Sequence, residues 1–128
     1  MYKNIFFIAS IFAAIAVALG AFGAHALDGL LNERFTKAYE SGVRYQIYHS
    51  LALLFCGVLL YIKPNKLISI ASKLFIAGII LFSGSLYLLT VFYLQHISNL
   101  NFIGAITPLG GICFISGWIC LALGAKKI

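Results

Sequence analysis

Residues 5–24, IFFIASIFAAIAVALGAFGA, are twenty consecutive positions without a charge. A helix of that length is about 30 Å long, the thickness of one bilayer core. The following Ala24-His25-Ala26 resembles a signal-peptide cleavage site. The apolar run nevertheless exceeds the roughly 7–15 residues of such a segment, so a retained membrane helix is expected. The composition extends that reading to the whole chain. Of its 128 residues 62% are hydrophobic and 9% charged, whereas a soluble domain carries about a quarter charged residues. Three further apolar runs occupy residues 45–62, 74–95 and 102–125. The expected fold is therefore an all-α membrane protein, a single integral domain built as a bundle of four transmembrane helices.

The punctuation between these runs is specific. Lys63-Pro64-Asn65-Lys66 ends the second span, because proline cannot continue a helix and drives its predecessor extended. The uncharged stretch His96-Ile97-Ser98-Asn99-Leu100-Asn101 separates the third span from the fourth. Residues 27–43 hold all three acids of the chain, Asp28, Glu33 and Glu40, among Arg34 and Lys37, with Arg44 next in line. Asn32 before Glu33 reads as an N-cap and first turn. Residues 32–44 then form an amphipathic helix on the membrane surface or a helical extension of the second span, with Ser41-Gly42 as the place for a break. Thr107-Pro108 also has two readings. Pro108 kinks a full-length helix, or Thr107 caps a shorter one behind irregular backbone at residues 102–106.

The net charge of +6 does not indicate nucleic acid, because the basic residues sit at the ends of apolar runs without interleaved aromatics. Lys3, Lys63, Lys66, Lys73, Lys126 and Lys127 fall on one side of a four-span topology. The other side has three cations balanced by the three acids. That asymmetry places both termini in the cytoplasm and the protein in the cell (inner) membrane.

With this orientation, polar features from separate spans reach the outer side. His25 ends the first span and Tyr45, Gln46 and His49 open the second. Tyr87 lies late in the third, and Thr107 early in the fourth. These six are the candidate ligand-binding residues. A small-residue set, Gly20, Gly23, Ser83, Gly84, Ser85, Gly110, Gly111 and Gly117, is assigned to helix packing. Cys56, Cys113 and Cys120 read as small hydrophobes without a disulfide. No metal, catalytic residue or cofactor is assigned: the three histidines lack a paired spacing, and no nucleophile or base stands out.

Taken together, the stretch from Gly20 to His25, Tyr45-Gln46 with His49, Phe82-Ser83-Gly84-Ser85-Leu86-Tyr87, and Thr107-Pro108 with Gly110-Gly111 resemble the YgdD/YwdK-like family. These are small bacterial inner-membrane proteins with a transmembrane counterpart in animals. The resemblance covers essentially the whole chain and implies a four-helix membrane protein of unestablished role. It supplies no catalytic residues. The expected function is non-enzymatic: an outer-facing polar pocket for a lipid, quinone or small amphipathic ligand. A scaffold or assembly subunit, with a homo-oligomer or membrane-complex partner, is the alternative. A metal- or haem-dependent enzyme and an oligomeric transporter rank below both, the latter because no span carries an internal acid.

Overall fold

The computed structural model describes residues 2–98 and 101–128. Residues 99–100 of the expected polar turn lie outside the described residues. Helix α1 spans Tyr2–His25 and α2 spans Glu33–Ile62. The third span, Lys66–Leu94, consists of α3 (Lys66–Gly78), a π-helical turn (Ile79–Ser83) and α4 (Gly84–Leu94). Helix α5, Asn101–Ala125, is the fourth. All four spans are long and apolar enough to cross a membrane, and no strand occurs among the described residues.

The open readings of α2 and α5 resolve toward continuity. Asn32 caps α2 by accepting from the Phe35 amide at 2.9 Å, and the helix runs unbroken through Ser41 and Gly42. Gly42 serves close approach instead: a Cβ there would meet the Tyr87 ring at 3.2 Å and Leu86 at 3.3 Å. Its carbonyl also accepts from Ser83 Oγ at 2.6 Å. With 30 residues, α2 is about 45 Å long, so one end projects beyond a bilayer core. Pro108 lies inside an unbroken α5, so the residues before it are helical and Thr107 is not a cap. The turn between α1 and α2 closes at Gly29, whose φ of 77° favours glycine.

The third span starts well before the apolar run that announced it. Asn65 caps α3 by accepting from the Leu67 and Ile68 amides at 3.0 and 3.2 Å. Ile68, Ala71, Ser72 and Phe75 are buried, so burial offsets a polar beginning. Lys73 therefore projects from a helix rather than from a loop, about 10 Å along it from Lys66. Such a side chain reaches water by snorkelling. Asn65 also donates to the Gly124 carbonyl at 2.9 Å, and the Tyr2 and Tyr61 rings meet at 5.3 Å. Both termini and the 63–65 connection thus share one end of the bundle.

The bundle has two inner and two outer members. In the most apolar window of α2 and of the third span, 44% and 39% of residues are buried, against 17% in both α1 and α5. Helix α1 packs on α2, and α5 packs on the third span, around Leu53, Cys56, Ile68 and Phe75. A Cβ at Gly110 would collide with the Phe82 backbone, and one at Gly117 would come within 2.8 Å of the Phe75 ring. These two positions and Gly124 form the working seam of α5. Gly84 and Gly111 differ from their expected packing role: a Cβ at either meets nothing within 4 Å.

Candidate functional site

The polar side chains inside the bundle bind one another's helices. From α2, the Tyr39 hydroxyl donates to the Leu19 carbonyl of α1. Two turns on, Gln46 Nε2 donates to the Phe12 carbonyl at 2.7 Å. Both acceptors lie on the neighbouring antiparallel helix, also two turns apart, so the bonds are rungs of one ladder. The amide has no choice of orientation. A carbonyl can only accept, so Nε2 faces Phe12 and Oε1 is left to accept from the Tyr87 hydroxyl at 2.7 Å. Ser85 and Thr107 link the third span to α5 through a hydroxyl pair at 2.6 Å. Every buried side-chain nitrogen or oxygen among the described residues has a partner. Within a membrane such saturation is what makes polar groups tolerable.

His49 belongs to a separate constellation. Its Nδ1 lies 2.7 Å from the Tyr45 carbonyl, and Trp118 Nε1 donates to its Nε2 at 3.1 Å. One partner only accepts and the other only donates, so the imidazole is the neutral Nδ1–H tautomer. The ring stacks on Phe114 with centroids 3.6 Å apart, and Tyr45 stacks on Phe82 at 4.9 Å. Tyr45, His49, Gly111, Phe114 and Trp118 line a lateral groove of about 640 Å³ between α2 and α5.

The expected convergence is therefore divided. Gln46 and Tyr87 meet directly, and Thr107 meets Ser85. His49 and Tyr45 face the α5 side instead, while His25 is exposed at the end of α1. The reason is rotational: Gln46 and His49 share one broad face of α2 but sit about 60° apart around it, so Gln46 meets Phe12 and Tyr87 while His49 meets Trp118. Among the described residues no group of three histidines, cysteines or acids is placed to hold a metal ion.

The cavity that does combine charge with an apolar floor lies between the end of α1, the turn at residues 26–31, and the first turns of α2. It measures about 410 Å³, within the range of small-molecule sites. Gly20, Gly23, Ala24 and Val43 supply its apolar part; Asp28, Glu40 and Arg44 supply charge. Glycine at position 23 is what brings the walls together, since a Cβ there would overlap the Tyr39 ring. Glu33 forms an ion pair with Lys37 at 3.1 Å, the one such pair among the described residues. The two remaining side-chain carboxylates of the chain, Asp28 and Glu40, both line this cavity. Arg44 uses one guanidinium nitrogen on Ser41 Oγ at 3.2 Å and retains further donors. In the sequence, Glu40 and Arg44 fall within the amphipathic segment 32–44, and Asp28 lies in the charged stretch before it. Their signal as a site was the concentration of every acid in one short segment.

Comparison with known proteins agrees with this architecture. Residues 19–111 match the family model described as "Protein of unknown function (DUF423)". The UPF0382 membrane protein YwdK of Bacillus subtilis is 41% identical over 98% of each chain. The UPF0382 membrane protein SAB0533 of Staphylococcus aureus is 43% identical over 90% of this chain and 88% of its own. A UPF0382 membrane protein of Haemophilus influenzae is 40% identical over 87% and 84%. No solved structure matches the chain. The protein belongs to the DUF423 (UPF0382) family of membrane proteins, whose function is unknown.

Proposed function

We propose that the protein is a non-enzymatic membrane protein that holds a lipid at the mouth between α1 and α2. It sits in the cell (inner) membrane with both termini cytoplasmic and this mouth on the outer side. The supporting observation is the cavity itself, where two carboxylates without an ion pair among the described residues stand with a guanidinium over a floor of Gly20, Ala24 and Val43. Charged headgroup binding and apolar chain contact are thereby offered side by side. The ladder residues support the role indirectly. Their bonds are saturated internally, so Gln46 and Tyr87 hold the walls rather than touch the occupant.

The test is native mass spectrometry of protein released from its membrane in mild detergent. One retained lipid per chain is expected, and Ala24→Phe, which fills the floor, should expel it. Protein released free of lipid, or retention unaffected by Ala24→Phe, contradicts the reading.

A docking role is the second reading, favoured by a different observation. Gly104 and Gly111 are seven residues apart on α5, and a Cβ at either meets nothing within 4 Å. They are smooth positions that the bundle itself leaves unused, which suits an added helix. A photocrosslinker at Ile115, in the adjoining groove, should then trap a distinct membrane protein. Recovery of uncrosslinked chain alone would remove this reading.

A further inference from the structure

We propose that the lipid held between α1 and α2 is an aminophospholipid, its headgroup joining a primary ammonium to a phosphodiester. This inference rests on the reading of that cavity as a lipid site and names the class of its occupant. The argument begins from charge. The chain as a whole carries +6, yet this cavity is lined by two carboxylates and one guanidinium. An anionic lipid such as phosphatidylglycerol brings a phosphate for Arg44 but leaves Asp28 and Glu40 facing like charge. A purely cationic ligand leaves the guanidinium without an anion. A zwitterion satisfies both signs at once.

The kind of ammonium follows from hydrogen-bond chemistry. A primary ammonium has three N–H donors, which match acceptor-only carboxylates. The trimethylated ammonium of choline has none, and proteins that recognise it surround it with several aromatic faces. Among the described residues, Tyr39 is the only aromatic one lining this cavity. Its ring is packed against Gly23 and its hydroxyl is spent on the Leu19 carbonyl. The guanidinium of Arg44, for its part, presents several N–H groups in a fork suited to phosphate oxygens. The geometry thus assigns Asp28 and Glu40 to the ammonium and Arg44 to the phosphodiester, with the glycerol and upper acyl chain over Gly20 and Val43.

The experiment titrates delipidated full-length protein with phosphatidylethanolamine, phosphatidylcholine and phosphatidylglycerol of identical acyl chains, counting bound lipid by native mass spectrometry. Phosphatidylethanolamine is expected to bind with one copy per chain, about tenfold tighter than either competitor, the value of one charge-assisted contact. Asp28→Asn with Glu40→Gln should reduce it to the level of phosphatidylcholine. Arg44→Gln should weaken all three phospholipids, since each carries the phosphodiester assigned to that guanidinium. Glu33→Gln, at a carboxylate already paired with Lys37, should change nothing. Folding of each variant is checked by the emission of Trp118, the only tryptophan.

Equal or stronger binding of phosphatidylglycerol overturns the proposal, as does an unchanged preference in the double variant. Stoichiometric displacement of the lipid by soluble glycerophosphoethanolamine would reassign the source to a free headgroup and overturn the lipid assignment. Retention of all three lipids without preference defeats this inference alone. Retention of none defeats the lipid-site reading beneath it.

Discussion

Two regions of α2, within two turns of each other, treat polar side chains in opposite ways. Around Gln46, each hydrogen-bonding group has a partner on a neighbouring helix: Phe12 on α1, and Tyr87 on α4. Around Glu40 and Arg44, charges stand over a cavity without an ion pair among the described residues. The first region is embedded and saturated; the second is at the rim and has capacity to spare. Polarity in a membrane helix therefore divides by saturation. Groups that have spent their bonds internally hold the fold, and groups that have not are available to a ligand.

The largest expected effect breaks the saturated side. Gln46→Leu removes both bonds of the amide and leaves the half-buried Tyr87 hydroxyl without its acceptor. A loss of about 2 kcal/mol is expected, measured by thermal or denaturant unfolding in detergent. Lipid retention in the fraction that remains folded should be unchanged. A comparable loss, about 1–3 kcal/mol, is expected for Gly110→Ala, because the added methyl meets the Phe82 backbone rather than a flexible side chain. The adjacent Gly111→Ala, facing open space, should match or exceed the wild type, since alanine favours helix. If the two neighbours behave alike, the seam is misassigned.

Smaller again is Trp118→Phe, which removes the donor to His49 Nε2 and keeps the aromatic bulk. About 1 kcal/mol should be lost. His49→Ala in the same background should then cost less than the sum of the single changes, a coupling that a double-mutant cycle measures. The smallest stability effect belongs to the unsaturated side. Asp28→Asn and Glu40→Gln should leave the unfolding midpoint in place while altering lipid binding. A large shift in midpoint would mean that these acids are structural.

The pattern of legibility has the same physical root. The four spans were readable because each is an apolar run ended by proline, charge or a polar turn. Asn32 was readable as a cap because its chemistry is local. The start of the third span was not, since Ser69, Ser72 and Lys73 dilute the apolar signal and Asn65 caps from outside it. The π turn at Ile79–Ser83 has no periodicity of its own to show. Gln46 and Tyr87 were both singled out, but their bond depends on how α2 and α4 are rotated. His25 and His49 appeared to converge because sequence gives depth along the bundle and not direction around it. Trp118 carries no local signal as a partner of His49 for the same reason. The cavity's acids were visible as a charge-rich segment; the closure that makes them a site depends on Gly23 against Tyr39 and on the turn at Gly29.

The most direct measurement of the central claim is photolabelling in native-like bilayers with a lipid carrying a diazirine near its headgroup, followed by peptide mapping. The account predicts labels on residues 20–44, at the mouth between α1 and α2, reduced by Ala24→Phe. Labels concentrated instead on residues 111–118, along the groove between α2 and α5, would contradict it.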